Sequence, residues 1–173
     1  MSVALNVAVF QAGWFACVLG AAHGLPWIGI ALTSAAVAWH AWRAPSPARE
    51  LELVAIVVLI GAIWDSALVA AGWIAFAPEA FAERLAPYWI LALWALFATT
   101  LNVSLRWLRN RPVLAALLGA LSGPLAYWAG ARLGALELRQ TAAIAALAFG
   151  WAAILPGLLG LAERLDGMRG SPA

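Results

Sequence analysis

The chain has 173 residues, of which 65% are hydrophobic and 10% charged, and its mean hydropathy is +0.91. A soluble domain carries about 25% charged residues, so a soluble globular protein is excluded and an integral membrane protein is expected. The formal charge of +2 rests on ten arginines scattered at the ends of apolar runs; with no basic stripe or cluster, nucleic acid is excluded as a partner.

About six spans of roughly 20 residues fit this length, joined by short connectors. The expected fold is all-α, a single six-transmembrane-helix bundle over residues 1–162 with both termini cytoplasmic and a short cytosolic tail over 163–173. The first helix is expected at residues 3–22. No basic residue precedes it and it is longer than a signal-peptide core, so it is expected to be retained. Its Ala4, Ala8, Ala12 and Ala16 recur at i+4 and continue to Gly20, a stripe on which another helix or a partner protein can pack closely. Asn6 suits a hydrogen bond to a neighbouring helix, and the single Cys17 a small buried hydrophobe.

His23 to Pro26 forms a tight connection, and the second helix is expected at 27–42. His40 lies near its end beside Trp39, Trp42 and Arg43 and reads as an interfacial residue. After the break at Pro45 and Pro47, Arg49, Glu50 and Glu52 read as a solvated rim, with acids favoured at the positive end of the third helix. That helix contains the apolar run 53–71, interrupted by Asp65. An acid near the middle of a span costs roughly 2.5–3.5 kcal/mol on insertion scales, so Asp65 is expected to face the bundle interior.

In the connector 72–87, Pro78 is expected to open an amphipathic interfacial helix with Phe81 and Leu85 opposite Glu79 and Glu83. The fourth helix is expected over 88–108, with Asn102 a possible polar contact and Arg106 snorkelling to the surface. The fifth, 113–134, carries Gly119-x-x-x-Gly123 and Gly130-x-x-x-Gly134 and is expected to kink at Pro124. An outer turn at 136–140 leads to the sixth, 141–161, bent at Pro156.

With six alternating spans, Arg43, Arg49, Arg106, Arg109, Arg111, Arg164 and Arg169 fall on one side and Arg84, Arg132 and Arg139 on the other. The excess places the first side in the cytoplasm. At a rise of about 1.5 Å per residue, Gln11 lies roughly 12 Å, Trp14 roughly 16 Å, Asp65 roughly 18 Å and Tyr127 roughly 21 Å from that side. Trp94 falls in the same layer. Aromatic walls with a few orienting polar groups are the chemistry of a ligand pocket, so Gln11, Trp14, Asp65, Trp94 and Tyr127 are the candidate ligand-binding residues. The alternative is that Asp65 accepts hydrogen bonds from Tyr127 and Gln11 only to lock the bundle. No catalytic or metal-ligating set is visible and no cofactor is implied; an acid–base pair would need His23 brought to Asp65.

Residues 6–15, Asp65-Ser66, 87–97 and 119–134, the last around Gly-Pro-Leu-Ala-Tyr, resemble a bacterial family of small inner-membrane proteins catalogued as domain-of-unknown-function family 2878. The resemblance implies a multi-pass protein of the bacterial inner membrane and no particular activity. The alanine stripe and the Trp14/Asp65 layer are also similar to the plan of the substrate-binding subunits of energy-coupling-factor transporters. The expected function is binding or transport of a small amphiphilic or lipid-like molecule in the outer half of the bundle. The alternatives are a non-catalytic accessory or scaffold subunit with a membrane-protein partner on the alanine face, and an intramembrane enzyme.

Overall fold

The computed structural model describes residues 2–77 and 85–169. They form six helices: α1 (Val3–Ala22), α2 (Pro26–Arg43), α3 (Pro47–Ala70), α4 (Tyr88–Leu101), α5 (Pro112–Arg132) and α6 (Ala142–Arg164). Two short strands, β1 (Ile74–Phe76) and β2 (Leu136–Leu138), accompany them. The amphipathic segment expected from Pro78, Glu79, Phe81 and Glu83 lies outside the described residues.

Local signals set the helix starts. Ser2 caps α1, its hydroxyl accepting from the Leu5 amide at 3.3 Å. Pro26, Pro47 and Pro112 open α2, α3 and α5, where the missing amide hydrogen has no helical partner to lose. Both α5 and α6 continue helically through Pro124 and Pro156.

Four helical stretches are long and apolar enough to cross a membrane: Val3–Ala22, Pro47–Ala70, Pro112–Arg132 and Thr141–Arg164. α2 is more polar, and α4 is shorter than expected. It ends at Leu101 because the Thr99 and Thr100 hydroxyls turn back onto the Leu96 and Phe97 carbonyls, at 2.7 and 2.6 Å, and Asn102 leaves the helix axis to bond elsewhere. A separate 3₁₀ turn, Arg106–Leu108, replaces the last expected turn of this helix.

The helices run alternately up and down. At one end β1 and β2 pair antiparallel, Ile74 opposite Leu138 and Phe76 opposite Leu136, so what read as a plain outer turn is half of a two-stranded clasp. The pairing escaped the sequence reading because the partner strands lie about 60 residues apart in an otherwise helical chain. At the opposite end Asn6 of α1 donates to the Thr99 carbonyl of α4 at 3.2 Å, and Asn102 reaches the Leu165 carbonyl after α6 at 3.4 Å. The start of α1 and the end of α6 therefore share one end of the bundle.

α4 is the central helix, packing on α1, α2, α3 and α6, while α5 packs chiefly on α6. Tryptophans enter glycine gaps on facing helices: Trp94 of α4 lies over Gly61 of α3, Trp151 of α6 over Gly123 of α5, and Trp64 of α3 over Gly150 of α6. A methyl group at any of these glycines would overlap the ring. The Gly119/Gly123 face is thus filled by the chain's own α6 and is not a seam for another protein. The alanine stripe differs: Ala4, Ala8 and Ala12 are exposed, and α1 packs inward through Asn6, Gly13 and Cys17.

Candidate functional site

Asp65 projects from the last third of α3 and is fully buried. Trp94 donates its indole N–H to Asp65 Oδ2 at 2.7 Å, and Tyr127 donates its hydroxyl to Oδ1 at 2.5 Å. One carboxylate therefore ties α3 to α4 and α5, each of its oxygens accepting from a different helix. Hydrogen bonds to an ionised acceptor contribute about 1.5–3 kcal/mol each, enough to offset much of the cost of placing an acid in this layer. The donors are Trp94 and Tyr127; Gln11, expected as a donor to this acid, stands exposed on α1.

On the far side of Trp94 and Tyr127 a cleft of about 720 Å³ runs along α4. α1 and α5 stand apart and form its banks, with α4 and Trp151 of α6 as its floor. Phe10, Trp14, Phe97 and Trp151 contribute aromatic surface. The Trp94 and Trp151 rings stack at 5.0 Å with 9° between their planes, and Phe97 meets Trp151 edge-on at 5.4 Å. Gln11, Thr100, Ser104, Ser122 and Tyr127 supply sparse polar groups. Four of the five candidate residues, Gln11, Trp14, Trp94 and Tyr127, thus line one cavity, and Asp65 sits behind its wall, holding two of them.

Trp151 was not singled out in the sequence. The signal was present: it lies about 20 Å from the end of α6, in the layer occupied by Asp65 and Tyr127.

A second polar centre lies at the end of the bundle where α1 begins. Glu50 and His40 are both 1% exposed and pair at 2.7 Å. The other Glu50 oxygen accepts from Asn102 at 2.6 Å and from the Gly167 amide at 2.8 Å. Asn102 in turn accepts from Arg109, which also donates to Asp166 at 2.8 Å. Arg106 donates to both Asp166 oxygens, at 2.8 and 3.0 Å. Burial alone would push the Asp166 carboxyl up, but the Arg109 hydrogen bond and charge, the Arg106 charge and the Met168 amide together hold it below the usual carboxylate value.

His40 and Glu50 are therefore neither an interfacial side chain nor a solvated rim, and Arg106 is engaged by Asp166 where snorkelling was expected. His23 is exposed and its ring bonds the Leu19 carbonyl at 2.8 Å, capping α1, so it forms no acid–base pair with Asp65.

Residues 3–157 match the family model described as "Protein of unknown function (DUF2878)". The chain belongs to the DUF2878 family. Membership carries no activity with it. No curated protein and no solved structure matches the chain. The likeness to energy-coupling-factor subunits accordingly finds no support in either comparison.

Proposed function

We propose that this DUF2878 protein holds an amphiphilic, lipid-like molecule in the cleft between α1 and α5. The observation that carries this reading is a cavity of about 720 Å³ bounded by two helices that stand apart over a floor of stacked indoles. Ligand cavities commonly measure roughly 300–1,000 Å³ and combine apolar walls with a few placed polar groups. In a six-span bundle such a cleft opens sideways into hydrocarbon, where acyl chains are the most abundant occupant. Asp65 serves the site indirectly by fixing the Trp94 and Tyr127 side chains. The arginine-rich end faces the cytoplasm, following the positive-inside rule for a bacterial inner membrane.

Ala126 lines the cleft and its side chain is exposed, so a large residue there obstructs the cavity without entering the Asp65 centre. Native mass spectrometry of the purified protein should show retained lipid, and Ala126→Trp should reduce it about tenfold with thermal stability unchanged. Equal retention by both proteins rejects the cleft as a binding site. A stoichiometric protein partner that A126W expels would replace this reading with the accessory-subunit one.

A further inference from the structure

The cleft has two chemically different ends. Toward the strand clasp it is closed by Trp89, Ile90 and Leu136, all apolar in character there, since the Trp89 indole N–H is already donated to the Ala77 carbonyl at 3.0 Å. Toward the arginine-rich end it is lined by Thr100, Ser104 and Trp107. Over the Trp107 ring lies the Arg111 guanidinium, its Cζ 5.5 Å from the ring centroid.

The three arginines of this turn are engaged differently. Arg106 and Arg109 are both taken up by Asp166. Arg111 is exposed, and among the described residues no carboxylate lies within ion-pair distance of it. A guanidinium over an indole face spends none of its N–H donors on that contact, and a planar fork of N–H donors suits bidentate capture of a phosphate. Neighbouring hydroxyls on Ser104 and Thr100 add polarity at the same level, though the Thr100 hydroxyl already donates to Phe97.

We infer that the cleft selects phospholipids with a net anionic headgroup, the phosphate seated at Arg111 and Trp107 and one acyl chain lying along α4 toward Trp89 and Leu136. The inference rests on the cleft binding lipid at all, and adds to it a charge preference and a direction. The purified full-length protein is exchanged into mixed micelles containing equal amounts of phosphatidylglycerol and phosphatidylcholine with identical acyl chains, and bound lipid is counted by native mass spectrometry.

The expected result is about a fivefold preference for phosphatidylglycerol, lost in Arg111→Gln while total lipid is retained. Arg49→Gln, at the same end of the bundle but on α3, which contributes nothing to the cleft lining, should keep the preference. Equal retention of both lipids by the native protein overturns the headgroup assignment and leaves cleft binding standing. A preference that survives R111Q, or is lost equally in R49Q, overturns the placement at Arg111. Absence of any lipid sensitive to A126W rejects the cleft reading itself.

Discussion

Asp65 and Glu50 are both fully covered carboxylates on α3, and they are embedded in opposite ways. Asp65 sits toward the C-terminal end of the helix with two neutral donors, an indole and a phenol. Glu50 sits in the first turn amid a histidine, an amide side chain and a backbone N–H, within a chain of contacts that continues through Arg109 to Asp166. Asp65 joins α5, which otherwise packs chiefly on α6, to α3 and α4, which pack on each other. Glu50 joins α2, the end of α4 and the segment after α6. A buried acid in the hydrocarbon layer can serve as a local brace, whereas one at the rim becomes a node on which distant termini converge.

Removing each acid sharpens this contrast. Glu50→Ala should give the largest effect, because it leaves His40 and Asn102 buried without their shared acceptor; breaking a buried pair by deleting one partner costs about 3–5 kcal/mol. The measurement is the thermal midpoint in detergent together with protease sensitivity of the segment after α6, which should become cleavable. A variant as stable and as resistant as the native protein would show that the node carries no weight.

Asp65→Asn should have a smaller effect. The amide oxygen still accepts from the Trp94 indole and the Tyr127 hydroxyl can turn to accept from the amide nitrogen, so what is lost is the extra strength of hydrogen bonds to a charged acceptor, about 1 kcal/mol. Lipid retention should survive at reduced level, since the carboxylate lies behind the cleft wall and not on it. Complete loss of bound lipid at unchanged stability would instead make Asp65 a direct ligand contact.

The smallest effect is expected from acid. Asp166 has a lowered pKa in the folded protein. Its contribution is therefore fully present above the ordinary carboxylate value near 4 and is lost as pH falls through the lower folded value. Asp166→Asn should destabilise the protein near neutrality, and the gap between variant and native protein should close in the most acidic range. A gap that stays constant with pH would mean that charge pairing with Arg106 and Arg109 contributes nothing.

The sequence was most informative where a single feature decided the matter. Proline marked helix starts, Asp65 stood out against its apolar run, and counting depth along each helix brought Gln11, Trp14, Trp94 and Tyr127 to one cavity. It was least informative where the answer depended on what another segment contributes. His40, Glu50 and Arg106 each look like ordinary membrane-edge residues, and only the folding of α4 at Asn102 and the return of the chain at Asp166 turn them inward. Gly119 and Gly123 likewise advertise close packing without saying that the partner is Trp151 of the same chain. Opposite charges that fall on one side of the predicted bundle were the available signal for the rim cluster, had they been paired by side as well as counted.

The two-stranded clasp has a mechanical consequence. It fastens the connector after α3 to the connector after α5, while at the other extremity Arg109, Asp166 and Glu50 moor the far end of α6. The α5–α6 pair is thereby anchored fore and aft, and α1 is pinned to α4 by Asn6. The cleft between these fixed flanks is held at a constant gauge, so on the proposed reading a lipid enters it by sliding in along the membrane plane.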